Sequence, residues 1–370
     1  MTRKILIIEP YCTGSHAAWA QGIKKYSSHD VEILSMPGRY WKWRMHGGAV
    51  TIAGMYRDLD FRPDLIVASD MLDLTTFLAL TRDLTSSIPV MLYFHENQLT
   101  YPWSPDDRDI TYNRDHHYAF INYASALASD MVCFNSEYNR SGFLNALPGF
   151  LKNFPEFNEL DTVAMISNKS RVLHLGMDLA RFDPFRPGTV PEYGSAPVIL
   201  WNHRWEYDKN PDEFFDALYI LKKRGIDFRV IILGENFGNV PDCFRQAKDV
   251  LGSKIIHSGY AESFEKYARL LWKADIIPVT SKQDFFGISI MEAVYCGCTP
   301  LLPRRLAYPE LFPPDRFGSL YYSDQDDLVE KLEALIQKPA HEASPSLEGE
   351  ASAYDWNRII VRYDTLFSSL

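Results

Sequence analysis

Short apolar runs recur along the chain between longer mixed segments, and they are apolar on both faces. In the first half they lie at 4–8, 31–35, 64–68, 89–94, 131–135 and 171–175. In the second half they lie at 197–201, 228–233, 254–257, 275–279 and 299–302. Rich in Ile, Leu and Val, such runs predict strands buried in a parallel sheet. The segments between them are long enough for crossover helices, for example 212–224 and 263–273. Residues 178–197 contain Pro184, Pro187, Gly188, Pro191, Gly194 and Pro197, a linker composition. The pattern predicts an α/β chain of two Rossmann-like, doubly wound parallel-sheet domains facing a cleft. Their expected spans are 1–178 and 179–353, with ligands at the carboxyl ends of the strands. Residues 341–352 are polar and read as a loop. Trp356, Ile359, Ile360, Tyr363 and Phe367 then recur at helical spacing, which predicts a final helix within 354–370 crossing back to the first domain.

Composition narrows the classes. A length of 370 residues suits two α/β cores, and 46% hydrophobic residues exclude a disordered chain. A formal net charge of -10 argues against a general nucleic-acid coat, although a local basic patch remains compatible with it. The five cysteines, Cys12, Cys133, Cys243, Cys296 and Cys298, include no CxxC, so free thiols are expected. The apolar run after Lys4 is too short for a signal peptide, and no segment approaches the roughly 20 apolar residues of a membrane span. A soluble, cytoplasmic protein is expected.

Two segments of the second half carry chemistry. One is Asp284-Phe285-Phe286-Gly287-Ile288-Ser289-Ile290-Met291-Glu292. A strand, a loop holding an acid and a glycine, and then a helix put the Gly287 and Ile288 amides at a helix N-terminus, which suits a phosphate. Glu292, about one turn in, can accept hydrogen bonds from a ribose diol, and Asp284 can reach sugar hydroxyls. The other is Trp201-Asn202-His203-Arg204-Trp205-Glu206-Tyr207-Asp208-Lys209-Asn210-Pro211. Arg204 and Lys209 can neutralise a pyrophosphate and stabilise a departing nucleoside diphosphate. Taken singly, each segment also reads as surface charge beside a helix.

Together they resemble the retaining glycosyltransferases of the GT-B fold. That superfamily carries an Arg and a Lys at this spacing after the first strand of its donor domain, and two acids around Phe-Gly-Leu. Here Asp284 replaces the usual Glu, and Ile288 stands for Leu. The resemblance implies that Arg204 and Lys209 bind the diphosphate, that the Gly287 and Ile288 amides assist, and that Glu292 holds the ribose. It also implies that His95, at a strand end of the first domain, contacts the transferred sugar. Gly14, with Ser15 and His16, could touch the donor diphosphate or the acceptor. Asn135 and Ser136 either meet acceptor or cap the next helix, capping being favoured.

A narrower resemblance covers most of the first domain. Ile7-Ile8-Glu9, Gly14-Ser15-His16, Trp41-Lys42-Trp43-Arg44, Tyr93-Phe94-His95-Glu96-Asn97-Gln98, Tyr101-Pro102 and Phe134-Asn135-Ser136 are similar to the tRNA-queuosine mannosyltransferase family. That family implies GDP-mannose as donor and the cyclopentenediol of queuosine in a tRNA anticodon as acceptor. Ser15, His16, Glu96, Asn97, Trp41, Lys42, Trp43 and Arg44 are then acceptor-binding candidates. Aromatics interleaved with cations over 39–44 can stack on splayed bases and pair with phosphates, or Trp41 and Trp43 can be core residues. Arg114, His116 and His117 could extend the patch. No cofactor and no metal are expected, because no Asp-x-Asp pair ends a strand; Asp106, Asp107 and Asp109 in a polar loop are the counter-candidates. Loops near 233–237 and 257–260 would read the donor base, guanine or uracil. Three alternatives stay open: a small-molecule, lipid or polysaccharide acceptor; a nucleotide-sugar epimerase or hydrolase; and an idle module that holds a modified RNA. Oligomeric state is unassigned.

Overall fold

The computed structural model describes the whole chain except residues 1, 104–106, 108, 110–115, 189–195, 235–239 and 339–346. It divides into two compact units, Met1–Asp178 with Tyr354–Leu370, and Leu179–Ala353. Each is built on one six-stranded sheet in which every pairing is parallel.

In the first unit the strands are β1 (Lys4–Cys12), β2 (Asp30–Pro37), β3 (Leu65–Ser69), β4 (Val90–Phe94), β5 (Met131–Phe134) and β6 (Ser170–Val172), in the spatial order β2-β1-β3-β4-β5-β6. Ile5 to Ile8, Leu65 to Ala68 and Val90 to Phe94 are all buried, which is why these strands read as unbroken apolar runs rather than alternating ones. One face packs Leu6, Ile8, Ile66, Leu92, Phe94 and Phe134 against Ile52, Phe77 and Phe143 from the crossover helices.

The second unit runs β7 (Val198–Asn202), β8 (Arg229–Leu233), β9 (Ile255–Gly259), β10 (Ile276–Pro278), β11 (Thr299–Pro303) and β12 (Tyr321–Tyr322), ordered β12-β11-β10-β7-β8-β9. The strand order reverses between β1 and β3 in the first sheet, and between β7 and β10 in the second. A sheet whose connections diverge at such a point leaves a crevice at the strand ends there; Gly14 to His16 follow β1, Arg204 and Lys209 follow β7, and Asp284 and Gly287 follow β10, while His95 follows β4.

Three local expectations are corrected. The two-residue β12 is too short to leave an apolar run in the sequence. The proline-rich stretch is not all linker: Ala180–Phe185 forms a 3-10 helix that buries Phe182. Glu348–Ser352, expected as loop, is helical and buries Ala351. Residues 189–195 of the expected linker and 341–346 of the expected loop lie outside the described residues.

The last helix, Trp356–Ser369, packs within the first unit on its periodic apolar face, with Trp356, Ile359, Ile360, Tyr363 and Phe367 buried. Its indole needs two glycines. A Cβ on Gly22 would lie 2.1 Å from Trp356 Nε1, and one on Gly176 would lie 2.4 Å from the same ring. The Trp356 N–H donates to the Met177 carbonyl at 2.9 Å, and the Tyr363 hydroxyl donates to the His174 carbonyl at 2.8 Å.

Candidate active site

In the second unit, β7 ends at Asn202 and the chain turns through Arg204 into a short 3-10 turn, Tyr207–Lys209. Asn210, at φ 53°, redirects it into the helix Pro211–Lys223. The turn is anchored to the loop after β10, since the Asp208 carbonyl accepts the Lys282 N–H at 2.8 Å. Two of the sequence candidates therefore meet. The Lys209 ammonium donates to the Gln283 carbonyl at 2.6 Å and stands 3.2 Å from Asp208 Oδ2 and 3.9 Å from Asp284 Oδ2. It is almost buried, whereas the Arg204 side chain is 46% exposed, 3.2 Å from Glu206 and 3.8 Å from Asp208. Two cations on one loop are thus held by the unit's own acids. Beside them the His203 imidazole is kept neutral, pushed down to about 3 by burial and then by the Lys209 and Arg204 charges.

Gly287 takes φ 102° at the start of the helix Ile288–Tyr295, a conformation that favours glycine, and a Cβ there would also press on Ile290 and Tyr308 at 3.4 Å. Asp284 precedes it, with Tyr308 OH donating to its carboxylate at 3.4 Å. Glu292, one turn into the helix, is buried. Its oxygens accept from Arg181 Nη2 at 3.0 Å and from Tyr267 OH at 2.6 Å. Burial pushes its carboxyl up, against the pull of those two donors. Arg181 and Tyr267 went unnoticed in the sequence. They lie 111 and 25 positions from Glu292, and no periodicity or motif joins them to it.

In the first unit β1 runs to Cys12, and Gly14, at φ 50°, opens the helix Gly14–Tyr26. A Cβ on Gly14 would meet nothing within 4 Å, and Ser15 is exposed. His16 instead points inward, its Nδ1 3.0 Å from Glu9 Oε2. Glu9 is fully buried, and its other oxygen accepts the Tyr11 N–H at 2.9 Å. Burial alone would lower the His16 imidazole, but the Glu9 charge and hydrogen bond outweigh it and push His16 up to about 9. The His16 ring lies 4.1 Å from that of His95.

His95 follows β4. Its ring is walled by Trp19 at 4.8 Å and Tyr93 at 5.0 Å, and neither ring nitrogen has a hydrogen-bond partner. Its main chain is fixed on both sides: the N–H donates to Asp70 Oδ1 at 2.8 Å, and the carbonyl accepts from Asn135 Nδ2 at 2.7 Å. Glu9, His16 and His95 are the one group among the described residues whose ligand atoms, within 4.8 Å of one another, approach a metal-ligand set. Within it, the short Glu9–His16 contact makes an ion pair beside the His95 ring.

The acceptor candidates divide. Glu96 is half-buried and accepts from Gln98 Nε2 at 2.9 Å. Asn97 is buried and its amide is spent within the loop, donating to Asn139 at 2.8 Å and accepting from the Thr100 N–H at 2.9 Å. It shapes the turn after His95. Ser136 caps the helix Glu137–Leu151 through the Asn139 N–H.

The helix Trp41–Asp58 splits the aromatic patch. Trp41 packs on Tyr118 at 5.1 Å, beside Met45 and Met71, and Lys42 is held by Asp107 and Asp109 at 2.6 and 2.5 Å. Both are half-buried, Trp41 against the unit's own rings and Lys42 beside its acids. Asp107 and Asp109 are thereby accounted for as partners of a cation. Trp43 and Tyr40 are 63% and 78% exposed, with Arg39 also exposed. Arg44 is half-buried and donates to the Pro37 carbonyl at 3.2 Å. His117 stacks on His46 at 4.3 Å, and His116 is exposed. Arg114, Asp106 and residues 235–237 lie outside the described residues.

Comparison with known proteins agrees with both units. Residues 4–177 match the family described as tRNA-queuosine alpha-mannosyltransferase N-terminal, and residues 187–350 match glycosyl transferases group 1. The chain is 36% identical over 343 residues to the tRNA-queuosine alpha-mannosyltransferase of Drosophila melanogaster, covering 90% of this chain and 87% of that one. It is 26% identical over 188 residues to a GDP-mannose-dependent alpha-(1-6)-phosphatidylinositol dimannoside mannosyltransferase of Mycobacterium tuberculosis (strain ATCC 25177 / H37Ra), about half of each chain. The fold is shared with a glycosyltransferase from Rickettsia africae ESF-5, at a TM-score of 0.68, 15% identity and coverage of 100% and 98% of the two chains.

Proposed function

Because the chain belongs to the tRNA-queuosine alpha-mannosyltransferase family and is a glycosyltransferase of the GT-B fold, we propose that it moves mannose from GDP-mannose to the cyclopentenediol of queuosine in a tRNA anticodon. The observation that carries this reading is the reach of the similarity. It spans nine tenths of the chain for the Drosophila enzyme and half for the mycobacterial enzyme, whose name pairs GDP-mannose with a lipid. Mannosyl transfer is common to the two names, GDP-mannose is printed in the mycobacterial one, and the tRNA acceptor goes with the longer match.

The donor lies on the second unit. Glu292 holds the ribose, and the Gly287 and Ile288 amides meet the phosphates at a helix N-terminus. Arg204 and Lys209 stabilise charge that grows on the diphosphate as the glycosidic bond breaks. The acceptor hydroxyl attacks the anomeric carbon on the face the diphosphate leaves, and its proton passes to the departing phosphate oxygen. The anomeric configuration is retained. Two cations already face the leaving group, so no metal is required. Enzyme stripped with EDTA should keep its turnover, and restoration of a lost activity by Mg²⁺ or Mn²⁺ would refute that.

The RNA is met on the first unit by exposed Tyr40 and Trp43, with Arg39 and Arg44 beside them as phosphate partners. No helix among the described residues is long and apolar enough to cross a membrane. We place the enzyme in the cytoplasm, where it meets tRNA. Mass spectrometry of tRNA incubated with enzyme and GDP-mannose tests the whole reading. Queuosine-containing tRNA should gain one hexose, and the same tRNA lacking queuosine should gain none. Release of free GDP without any acceptor would favour a hydrolase instead.

A further inference from the structure

Glu9 and His16 belong to no donor motif, yet they are the most deeply buried charged pair among the candidates. Glu9 is wholly inaccessible within β1, and His16 is held against it at 3.0 Å. An ion pair in such a place loses the hydration of both groups, so it stabilises the fold little compared with an apolar pair of similar volume. What it does supply is a fixed positive charge beside His95. The two imidazole rings are 4.1 Å apart, and His95 Nε2 is 4.0 Å from Glu9 Oε2, beyond a hydrogen bond.

His95 is the second half of the observation. Both of its nitrogens are buried without a partner, an arrangement that is costly unless a ligand completes it. The ionisable groups facing it from neighbouring elements are Glu9 on β1, His16 on the first helix, Asp70 after β3, and Tyr93 and Glu96 on either side in sequence. One Asp70 oxygen accepts the His95 main-chain N–H, the other is buried without a partner, and burial pushes the carboxyl well up. Tyr93 is held neutral by burial and donates to the Leu173 carbonyl at 2.8 Å.

We propose that Glu9 and His16 are a positioning pair for His95: Glu9 keeps His16 an imidazolium, and that charge keeps His95 an uncharged ring with one nitrogen open to accept a hydrogen bond from a substrate hydroxyl. An imidazolium has no lone pair and could not accept that bond. Burial and the neighbouring His16 charge both lower His95, well below the ordinary imidazole. The proposal rests on the reading that His95 meets a substrate, and it adds how the protein sets the state in which His95 does so.

The imidazole ¹⁵N shifts of the full-length, substrate-free enzyme report the two states directly. His16 should carry protons on both nitrogens up to about pH 8, as burial beside a carboxylate requires. His95 should show one protonated and one bare nitrogen well below the pH at which an ordinary imidazole titrates. An ordinary titration of His16 near 6.5, or a doubly protonated His95 at pH 6, overturns the pair. In kinetics, His16→Gln and His16→Asn should each move the acidic limb of kcat/KM upward by about one pH unit, because removing a neighbouring positive charge lets His95 protonate earlier. An unmoved limb in folded variants counts against the proposal, and the wild-type spectra decide it if neither variant folds. Absence of transfer to queuosine tRNA with the ¹⁵N pattern intact would instead sink the acceptor assignment and leave the pair standing.

Discussion

The two units handle charge in opposite ways. In the second, an exposed Arg204 stands on the same loop as an almost buried Lys209 and is held by acids that a diphosphate can replace, Glu206 and Asp208. In the first, the charged pair is sealed in the protein and walled by aromatic rings. A site that must bind and release a highly charged leaving group needs exchangeable partners. A site that must tell one hydroxyl from another needs fixed, dry groups, where an unmatched hydrogen bond is costly. The contrast suggests that turnover is governed from the second unit and acceptor recognition from the first.

Lys209→Ala tests the second half of that contrast with the largest expected effect. The cation acts on charge that develops in the transition state, so kcat should fall by about 100- to 1,000-fold while affinity for queuosine tRNA stays near wild type. A loss confined to tRNA binding would reverse the assignment of the units. Next is the sealed pair itself. An unfolded His16 titrates near 6.5 and the folded one near 9, so its contribution to stability is fully present below pH 6.5 and is lost as pH rises through 9. That contribution is at most about 3 kcal/mol. Urea unfolding should therefore show Glu9→Gln weakened most at pH 6.5, with the gap to wild type narrowing at pH 10.

Smaller effects sharpen the picture. Glu292→Gln and Arg181→Met should each raise the donor KM by roughly tenfold with little change in the acceptor KM, because they act on ground-state binding far from the breaking bond. Trp43→Ala should weaken tRNA binding by about fivefold, the lower end for loss of one stacked base, and leave the melting temperature unchanged. Trp41→Ala should do the reverse and lower the melting temperature, since that ring is packed on Tyr118.

The sheets were legible because central strands such as β3, β4 and β7 are buried on both faces and so leave unbroken apolar runs, whereas the edge strands β2 and β9 are only partly buried. β12, with two residues, leaves none. In the second unit, Arg204 with Lys209 and Gly287 with Glu292 could be singled out because each pair is set by spacing along its own strand-loop-helix segment. Arg181 and Tyr267 could not, because their meeting with Glu292 is made by folding alone. The patch at 39–44 shows a different limit. Trp41 and Trp43 are two residues apart, about 200° around a helix, so one must turn in when the other turns out. Without knowing that a helix begins at Trp41, the alternation of aromatics and cations read as one surface. Glu9 was visible only as part of a family string, since nothing in a strand says that its carboxylate will face a histidine seven residues later.

The return of Trp356–Ser369 to the first unit has a consequence for synthesis. Residues 179–353, the entire second unit, leave the ribosome between the two parts of the first. At about 5–20 residues per second, that is an interval of roughly 9–35 s during which Gly22 and Gly176 wait for their indole. Tyr93, whose ring flanks His95, likewise waits for Tyr363 at 3.3 Å. The nascent first sheet is therefore exposed along that seam until translation reaches the helix, while the second unit can fold as soon as it emerges. A stop codon before Trp356 would leave the donor unit intact and the first unit unlatched, a product open to proteases on one side only.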